Sequence, residues 1–265
     1  MLSFIGALEA RANAVDSLLC VGIDPHPDML SEDTPMASSE LCLRLIESCS
    51  PYVCAFKPNV AFFERHGAEG MTVLRDVIAA VPADIPVILD AKRGDIASTA
   101  EAYAYAVFDA LGAHALTASP YLGSDSLAPF MNRPERGVFV LCKTSNETAD
   151  ELQALLVDGE PLYLHVARKA KSWSTNNNVG IVVGATDPYA LACVRAAAPS
   201  LWFLCPGVGA QGANLKAALG AGLRSDGMGM LVSVSRSIAC DSDPAGASAN
   251  LRQGINDVRR ASAST

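Results

Sequence analysis

Clustered positive charge is scarce in this sequence of 265 residues. It carries 20 Lys and Arg against 28 Asp and Glu, for a formal net charge of −8, and no basic run is longer than two residues. Because nucleic acids and anionic membranes attract clustered positive charge, neither is expected as a partner. A small anionic substrate is still compatible with this balance, since it responds only to the charges of its own site.

Long apolar runs are absent as well. No uninterrupted stretch approaches the roughly 18 residues of a membrane-spanning helix, and the first residues, which include Glu9 and Arg11, make a poor secretory signal. The 8 cysteines show no C-x-x-C spacing, and most lie in apolar runs. This usage is typical of reduced, buried thiols, so we expect a cytoplasmic protein.

Histidine, a common metal ligand, is also rare. The 4 histidines are scattered, at His26, His66, His114 and His165, and no two have the spacing of ligands on one helix. The sequence therefore supports no metal site. Nothing in it implies thiamine or a lysine Schiff base either, so no cofactor is expected.

Short apolar segments, in contrast, recur along the chain. Eight of them are predicted strands, and each is followed by a helical or turn-and-helix segment. Near-continuous apolar runs indicate a parallel sheet that is covered on both faces. Eight such units predict an α/β protein with the (β/α)8 fold, a TIM barrel, and a doubly wound sheet is the alternative. The predicted strands are 18–24, 52–59, 87–92, 115–119, 137–142, 180–185, 201–205 and 228–235.

No change of composition and no Gly- or Ser-rich linker divides the chain. We therefore predict a single barrel domain over residues 1–265, with a short helix at 3–15 before the first strand. A C-terminal helix is predicted because Leu251, Ile255 and Val258 fall on one face. Further helical segments are predicted at 38–49, 60–80, 96–111 and 188–198.

The most informative stretch runs from Ile88 to Thr99. In a strand, side chains alternate between the two faces, so Asp90 and Lys92 point the same way. Gly94 then permits a sharp turn, and Asp95 is well placed to cap the following helix. A solvated ion pair is the ordinary interpretation of such charges. Because Asp90 and Lys92 continue a buried-type run, where charge is costly, a functional role is favoured.

Polar residues also follow several other predicted strands. In a TIM barrel the active site lies at the carboxyl ends of the strands, so these residues should converge on one face. This convergence, more than any single residue, predicts an active site. The residues are Asp24, Lys57, Asp90, Lys92, Thr144, Gln211 and Arg236.

A glycine-rich segment follows the seventh predicted strand. Residues 206–212 match G-x-G-x-x-G, but a dinucleotide fold is rejected because too little chain remains for two nucleotide-binding halves. The acid expected about 20 residues on is also missing, since Asp226 precedes a strand. The glycines fit a phosphate-binding loop instead, with Ser235-Arg236 supplying the cation. A plain turn and a surface ion pair are the alternatives.

The pattern Asp90-x-Lys92-x-x-Asp95-Ile96-x-x-Thr99 resembles the signature of the orotidine 5'-phosphate decarboxylase family. The Lys-Thr-Ser-Asn segment at 143–146 places the likeness in the bacterial type 2 branch, over about residues 18–238. The resemblance implies decarboxylation of orotidine 5'-phosphate to UMP in de novo pyrimidine biosynthesis, without a cofactor.

The resemblance also implies roles at the reacting carbon. Asp90 and Lys92 would lie at C6 of the pyrimidine, where Lys92 stabilises the developing charge and then donates a proton to C6. Asp95 and Thr99 would reach into the site of the neighbouring subunit. The functional unit would then be a homodimer with shared sites.

The remaining substrate contacts are implied in the same way. Asp24 and Lys57 would hold the ribose hydroxyls. Thr144, with Ser145 beside it, would hydrogen-bond the pyrimidine ring.

Phosphate binding is implied for Gln211 and Arg236, with Ser235 beside the arginine. The sequence departs from the family pattern at two places, beside the phosphate-binding arginine and in the helix after Asp95. Ser235 stands where other members have Gly, and Ser98 lies where many have Asn. Neither removes a functional group.

Two other functions are alternatives. Sugar-phosphate decarboxylases and hexulose-phosphate synthases share an Asp-x-Lys-x-x-Asp core but depend on Mg²⁺, and Thr144, Gln211 and Arg236 favour the nucleotide enzyme. A phosphate-binding protein that has lost catalysis is the other, and the intact set of charged residues argues against it.

Overall fold

The computed structural model describes residues 2–208 and 214–263. It contains eight parallel strands in one sheet, which are β1 Leu19–Ile23, β2 Ala55–Pro58, β3 Ile88–Arg93, β4 Ala115–Ala118, β5 Gly137–Lys143, β6 Val179–Val183, β7 Phe203–Pro206 and β8 Met230–Val234. Their order in the sheet is β2-β1-β8-β7-β6-β5-β4-β3. Two bridges, Phe56 to Val87 and Asn59 to Asp90, join β2 to β3 and close the ring. The predicted TIM barrel is thereby confirmed.

The apolar runs of the sequence become strands because the barrel buries both of their faces. Every residue of β1, β6 and β8 is buried, as are the large rings of Phe56, Phe139 and Trp202. Each such side chain contributes about 1.5–3 kcal/mol when it leaves water. The core thus extends through the barrel wall to the helices outside it.

Helices cover the barrel between successive strands. The predicted 60–80 segment is two helices, and Gly67, the first residue of the second helix, has a left-handed φ of +61° that breaks the helical path. No helix of the described residues is long and apolar enough to cross a membrane. The helices are α1 Phe4–Val15, α2 Pro35–Cys49, α3 Ala61–Glu64, α4 Gly67–Ala80, α5 Ala97–Tyr105, α6 Ala128–Met131, α7 Asp150–Gln153, α8 Leu162–Trp173, α9 Pro188–Ala197, α10 Leu215–Gly222, α11 Arg236–Ala239 and α12 Pro244–Ala263.

Three short elements interrupt this pattern. A 3-10 turn, Pro27–Met29, follows β1, and α5 ends in a π-helical turn, Ala106–Ala110. Between α7 and α8 lies a small antiparallel hairpin of Leu156–Val157 and Glu160–Pro161. Its Asp-Gly turn has two positive φ angles, which is typical of a tight hairpin.

The α1 helix closes the amino-terminal end of the barrel. Phe4 packs edge-to-face on Phe139, with ring centroids 6.1 Å apart. It also covers Gly137, where a Cβ atom would lie 2.3 Å from the Phe4 ring. At the same end of β1, Asn256 of α12 donates a hydrogen bond to the Asp16 carbonyl at 2.7 Å. The opposite end of the barrel, at the carboxyl ends of the strands, is where the loops carry the polar residues.

Candidate active site

A row of alternating charges lies at the carboxyl ends of β2 and β3. The Asp90 carboxylate accepts a hydrogen bond from the Lys57 ammonium at 3.1 Å and another from the Lys92 ammonium at 2.7 Å. Lys57 is 7% exposed, whereas about half of the Lys92 side chain is open to solvent. The structure therefore brings Asp90 and Lys92 together and adds Lys57 on the buried side.

Both buried members of this row are charged at neutral pH. Burial would raise the pKa of the Asp90 carboxyl, but the ammonium groups of Lys57 and Lys92 outweigh it and hold this pKa well below its ordinary value. Burial would likewise lower the pKa of Lys57, but the carboxylates of Asp24 and Asp90 raise it above its ordinary value. The site therefore keeps a fixed pattern of opposite charges.

The β3 strand departs from regular pairing where it carries these groups. Its register with β4 shifts between Leu89 and Arg93, and Lys92 has a left-handed φ of +49°. A bulge re-aims the side chains beside it. Gly94 then passes so close to β4 that a Cβ atom would lie 2.8 Å from the Ser119 carbonyl oxygen. This close approach explains the glycine, since Gly94 is not among the residues with a left-handed φ.

Two residues that the sequence did not single out contact this site. Thr117 of β4 has its hydroxyl oxygen 2.9 Å from the Asp90 carboxylate. Gln153 of α7 holds Thr144: its carbonyl accepts the Thr144 N–H at 2.8 Å, and its amide donates to the Thr144 hydroxyl at 2.8 Å. Thr117 lies inside an apolar strand and Gln153 beyond a loop, so no local pattern marks either.

Two adjoining cavities lie over the strand ends. The first, of about 330 Å³, is lined by Asp24, Lys57 and Arg236, among others. The second, of about 280 Å³, is lined by Asp90, Lys92, Thr117, Thr144 and Ser145, among others. Lys57 and Pro206 line both cavities, so they form one trough. Six of the seven residues that were predicted to converge line this trough, and Gln211 lies outside the described residues.

Asp24, which lines the first cavity, connects the carboxyl ends of two neighbouring strands. Its carboxylate accepts a hydrogen bond from the Asn59 N–H at 3.2 Å, which joins the ends of β1 and β2. In the second cavity, Ser145 lies against Gly184, where a Cβ atom would come within 2.9 Å of the serine Cβ. The Thr144 hydroxyl donates to the Asn146 side-chain carbonyl at 2.6 Å. The loop after β5 is therefore held on several sides.

Asp95 and Thr99 lie apart from these groups. Among the described residues that line the two cavities, neither appears. The prediction that Asp95 caps α5 is wrong: its carboxylate accepts the N–H of Ile96 at 2.8 Å, and no side chain caps the helix. The reason is local, since Ala97 has a φ of +38° and turns the first helical N–H groups away from a regular cap.

The predicted phosphate loop is described only in part. Gln211, Gly209 and Gly212 lie outside the described residues. Gly207, with a left-handed φ of +104°, lines the first cavity together with Ser235 and Arg236.

The end of β8 carries the remaining two residues predicted for phosphate. Arg236 is exposed at the start of α11. The buried Ser235 hydroxyl has no hydrogen-bond partner among the described residues. Gly22 leaves room for this serine, since a Cβ atom there would lie 2.7 Å from the serine Cβ. The side of the trough near β1 and β8 thus offers unused donors to an anion.

Within residues 2–208 and 214–263, no group of three or more His, Cys, Asp or Glu side chains is arranged to hold a metal ion.

Fold and site together define a (β/α)8-barrel enzyme with its charged groups at the carboxyl ends of the strands. Residues 17–251 match the model of the "Orotidine 5'-phosphate decarboxylase / HUMPS family". The chain belongs to this family, and the resemblance drawn from its sequence is confirmed.

Similar proteins cover almost the whole chain. The orotidine 5'-phosphate decarboxylase of Roseiflexus castenholzii is 46% identical over 265 residues, 98% of this chain and 97% of the relative. The structure of Leishmania donovani OMP decarboxylase is 56% identical, with a TM-score of 0.91 over 97% of this chain and 99% of that one. That of Leishmania donovani UMP synthase is 57% identical, with a TM-score of 0.93 over 98% of this chain, which spans 57% of its length. The first two of these proteins are named as decarboxylases, which are carboxy-lyases, and this is the enzyme class expected from the sequence.

Proposed function

We propose that this chain decarboxylates orotidine 5'-phosphate to UMP, the final step of de novo pyrimidine biosynthesis, without a cofactor. The observation that carries the proposal is the row of Lys57, Asp90 and Lys92, whose members line the trough formed by the two cavities. Relatives that match nearly the full chain are named for this activity.

The two parts of the trough suit the two ends of the substrate. We call Gly207, Ser235 and Arg236 the phosphate end, because all three line the first cavity and a guanidinium can bind phosphate oxygens in pairs. Gln211 would add a further contact. Asp24 and Lys57 lie between the phosphate end and the second cavity, where the ribose hydroxyls would fall.

The pyrimidine would occupy the second cavity. Thr144 and Ser145 supply hydrogen-bonding groups at its outer side. We call Lys57, Asp90 and Lys92 the reactive end, since the ring would bring C6 and its carboxylate to these charges. Lys57 thus lies where the two parts of the trough meet.

The reaction then needs one proton and a place for negative charge. The bond between C6 and the carboxylate carbon breaks, CO2 leaves, and the electron pair stays on C6. The Lys92 ammonium stabilises this charge and donates a proton to C6, which gives UMP. Asp90 holds the ammonium in position and places a negative charge beside the substrate carboxylate. No step requires a metal or an organic cofactor.

A homodimer with shared sites belongs to the same proposal. Asp95 and Thr99 lie outside their own trough, and Ile96 between them is 62% exposed. Tyr121, after β4, is 82% exposed. Exposed apolar side chains, together with two polar residues that lie outside their own trough, fit coverage by a second copy, which would place Asp95 and Thr99 in the neighbouring site.

Mixing two inactive variants tests the shared site. Lys92→Ala and Asp95→Ala should each be inactive alone. In a mixed dimer, one of the two sites has both native residues, so activity should return to about a quarter of the wild-type value after random exchange. A mixture that stays inactive although its subunits have exchanged would contradict the shared site.

A cytoplasmic location is also part of the proposal. All 8 cysteines are free, and six of them are buried. Free thiols are typical of a reducing compartment.

The decisive measurement is the ultraviolet absorbance of orotidine 5'-phosphate mixed with the purified chain, with and without EDTA. Loss of the orotate chromophore, unchanged by EDTA, is expected. No change at high enzyme concentration would contradict the proposal. Ribulose and gulonate phosphates with Mg²⁺ would then be tested, because the Mg²⁺-dependent sugar-phosphate enzymes share the Asp-x-Lys-x-x-Asp core of residues 90–95.

A further inference from the structure

One hydroxyl group connects the backbone of the reactive end to its carboxylate. The Thr117 oxygen accepts the N–H of Ala91 at 3.0 Å and the N–H of Lys92 at 2.9 Å. It also lies 2.9 Å from an Asp90 carboxylate oxygen. These contacts occur at the place where the register between β3 and β4 shifts. The hydroxyl therefore accepts two N–H groups of β3 where the bulge interrupts the regular pairing of β3 with β4.

The direction of each hydrogen bond follows from valence. A hydroxyl oxygen has two lone pairs and one hydrogen. The two backbone N–H groups occupy both lone pairs, so the hydrogen must be donated elsewhere. The Asp90 carboxylate, whose pKa is held low, can only accept. Thr117 thus donates to the same carboxylate oxygen that receives the Lys92 ammonium.

We propose that Thr117 is a positioning residue for the decarboxylation. Its hydroxyl fixes the Asp90 carboxylate and the left-handed backbone of Lys92, and thereby the direction in which the ammonium points. This inference rests on the proposed function of Asp90 and Lys92.

Burial makes the hydroxyl hard to replace. Thr117 is 1% exposed, so water has little access to the two N–H groups that it accepts. Valine has nearly the same shape but neither accepts nor donates, and it would leave both N–H groups without a partner. A left-handed backbone at a residue other than glycine persists only when its surroundings hold it. The bend at Lys92 should therefore relax in such a variant.

The test compares Thr117→Val with Thr117→Ser. The valine variant should lose roughly 10- to 100-fold in kcat, since misplacing a reacting group by about 1 Å can cost that much. Its Kd for UMP should stay within about threefold of wild type, because the phosphate end is untouched. The serine variant keeps the hydroxyl and should recover most of the rate. This split between kcat and affinity, with rescue by serine, would not follow from a loss of general stability.

Ser17→Ala is the matched control. Ser17 is also a buried hydroxyl that accepts a strand N–H, that of Leu19 at 3.1 Å, but at the opposite end of β1. Its loss should lower the melting temperature without changing kcat. A similar kcat change in this variant and in Thr117→Val would overturn the proposal.

Other outcomes are equally decisive. A Thr117→Val enzyme with wild-type kcat would overturn this inference and leave the proposed function standing. If the valine variant does not fold, Thr117→Ala replaces it, and equal rates for the alanine and serine variants would overturn the inference. No turnover by the wild-type chain would overturn the proposed function, and this inference with it.

Discussion

The reactive end and the phosphate end of the trough are held in different ways. At the reactive end, Asp90 already receives hydrogen bonds from two ammonium groups and one hydroxyl of the barrel itself. At the phosphate end, the buried Ser235 hydroxyl has no partner among the residues that the structure describes, and Arg236 is exposed. The proposed catalytic groups are therefore already held by hydrogen bonds within the barrel, whereas the proposed phosphate-binding groups include a hydrogen-bond donor that is still available to a ligand.

The difference follows from where the two ends sit in the fold. Lys57 and Asp90 belong to strands: β2 pairs with β1 at Lys57, and a bridge joins Asn59 to Asp90 of β3. Arg236 begins a short helix after β8. Preorganised charges stabilise a transition state without rearrangement, so strands suit the reactive end. A binding group can be ordered by its ligand, and loops suit the phosphate end.

The sharpest test of this contrast removes the reactive ammonium. Lys92→Ala should lower kcat by at least about a thousandfold, because it takes away both the charge at C6 and the proton donor. The Kd for UMP should change little, since Lys92 is distant from the phosphate end. Stopped assays with orotidine 5'-phosphate measure kcat, and calorimetric titration with UMP measures the Kd.

The control is Lys169→Ala on the exposed face of α8, which should behave as wild type. Near-normal turnover by Lys92→Ala would show that the reactive end is only a structural ion pair.

A smaller effect is expected at the phosphate end. Arg236→Ala should lower kcat/KM by roughly 10- to 100-fold, the worth of a hydrogen bond to a charged group. The loss should be much smaller with orotidine, which has no phosphate. Steady-state kinetics with both substrates check this, with Arg44→Ala on α2 as a control.

Equal losses on the two substrates would mean that Arg236 supports the fold of this end rather than binding phosphate. The contrast between the two ends would then disappear.

Much of the fold was predictable because buried parallel strands are read from apolar runs alone. Val179–Val183 and Met230–Val234 lie within a residue or two of their predicted positions, since the barrel buries both faces. The contact between Asp90 and Lys92 was predictable because residues two apart on a strand point to the same face. The left-handed φ of Lys92 was not predictable.

The contacts that fix the pair were not predictable. Thr117 lies 27 residues beyond Asp90 along the chain, inside a strand where a threonine is ordinary. The failed cap at Asp95 was not predictable either, because nothing in the spacing of the residues marks the left-handed φ of +38° at Ala97. Spacing identifies residues that share a local element, but it does not identify partners across elements.

The smallest effect should come from Gln153, which does not touch the reactive end. Gln153→Ala removes two hydrogen bonds to Thr144 and frees the hydroxyl and N–H beside the predicted pyrimidine site. We expect KM to rise about three- to tenfold with kcat nearly unchanged, because the lost contact would act on binding and transition state alike. Gln253→Ala on α12, where the side chain bonds only to Asp257 among the described residues, is the matched control. If Gln153→Ala lowered kcat with KM unchanged, the loop after β5 would act on the transition state and would belong with the reactive end.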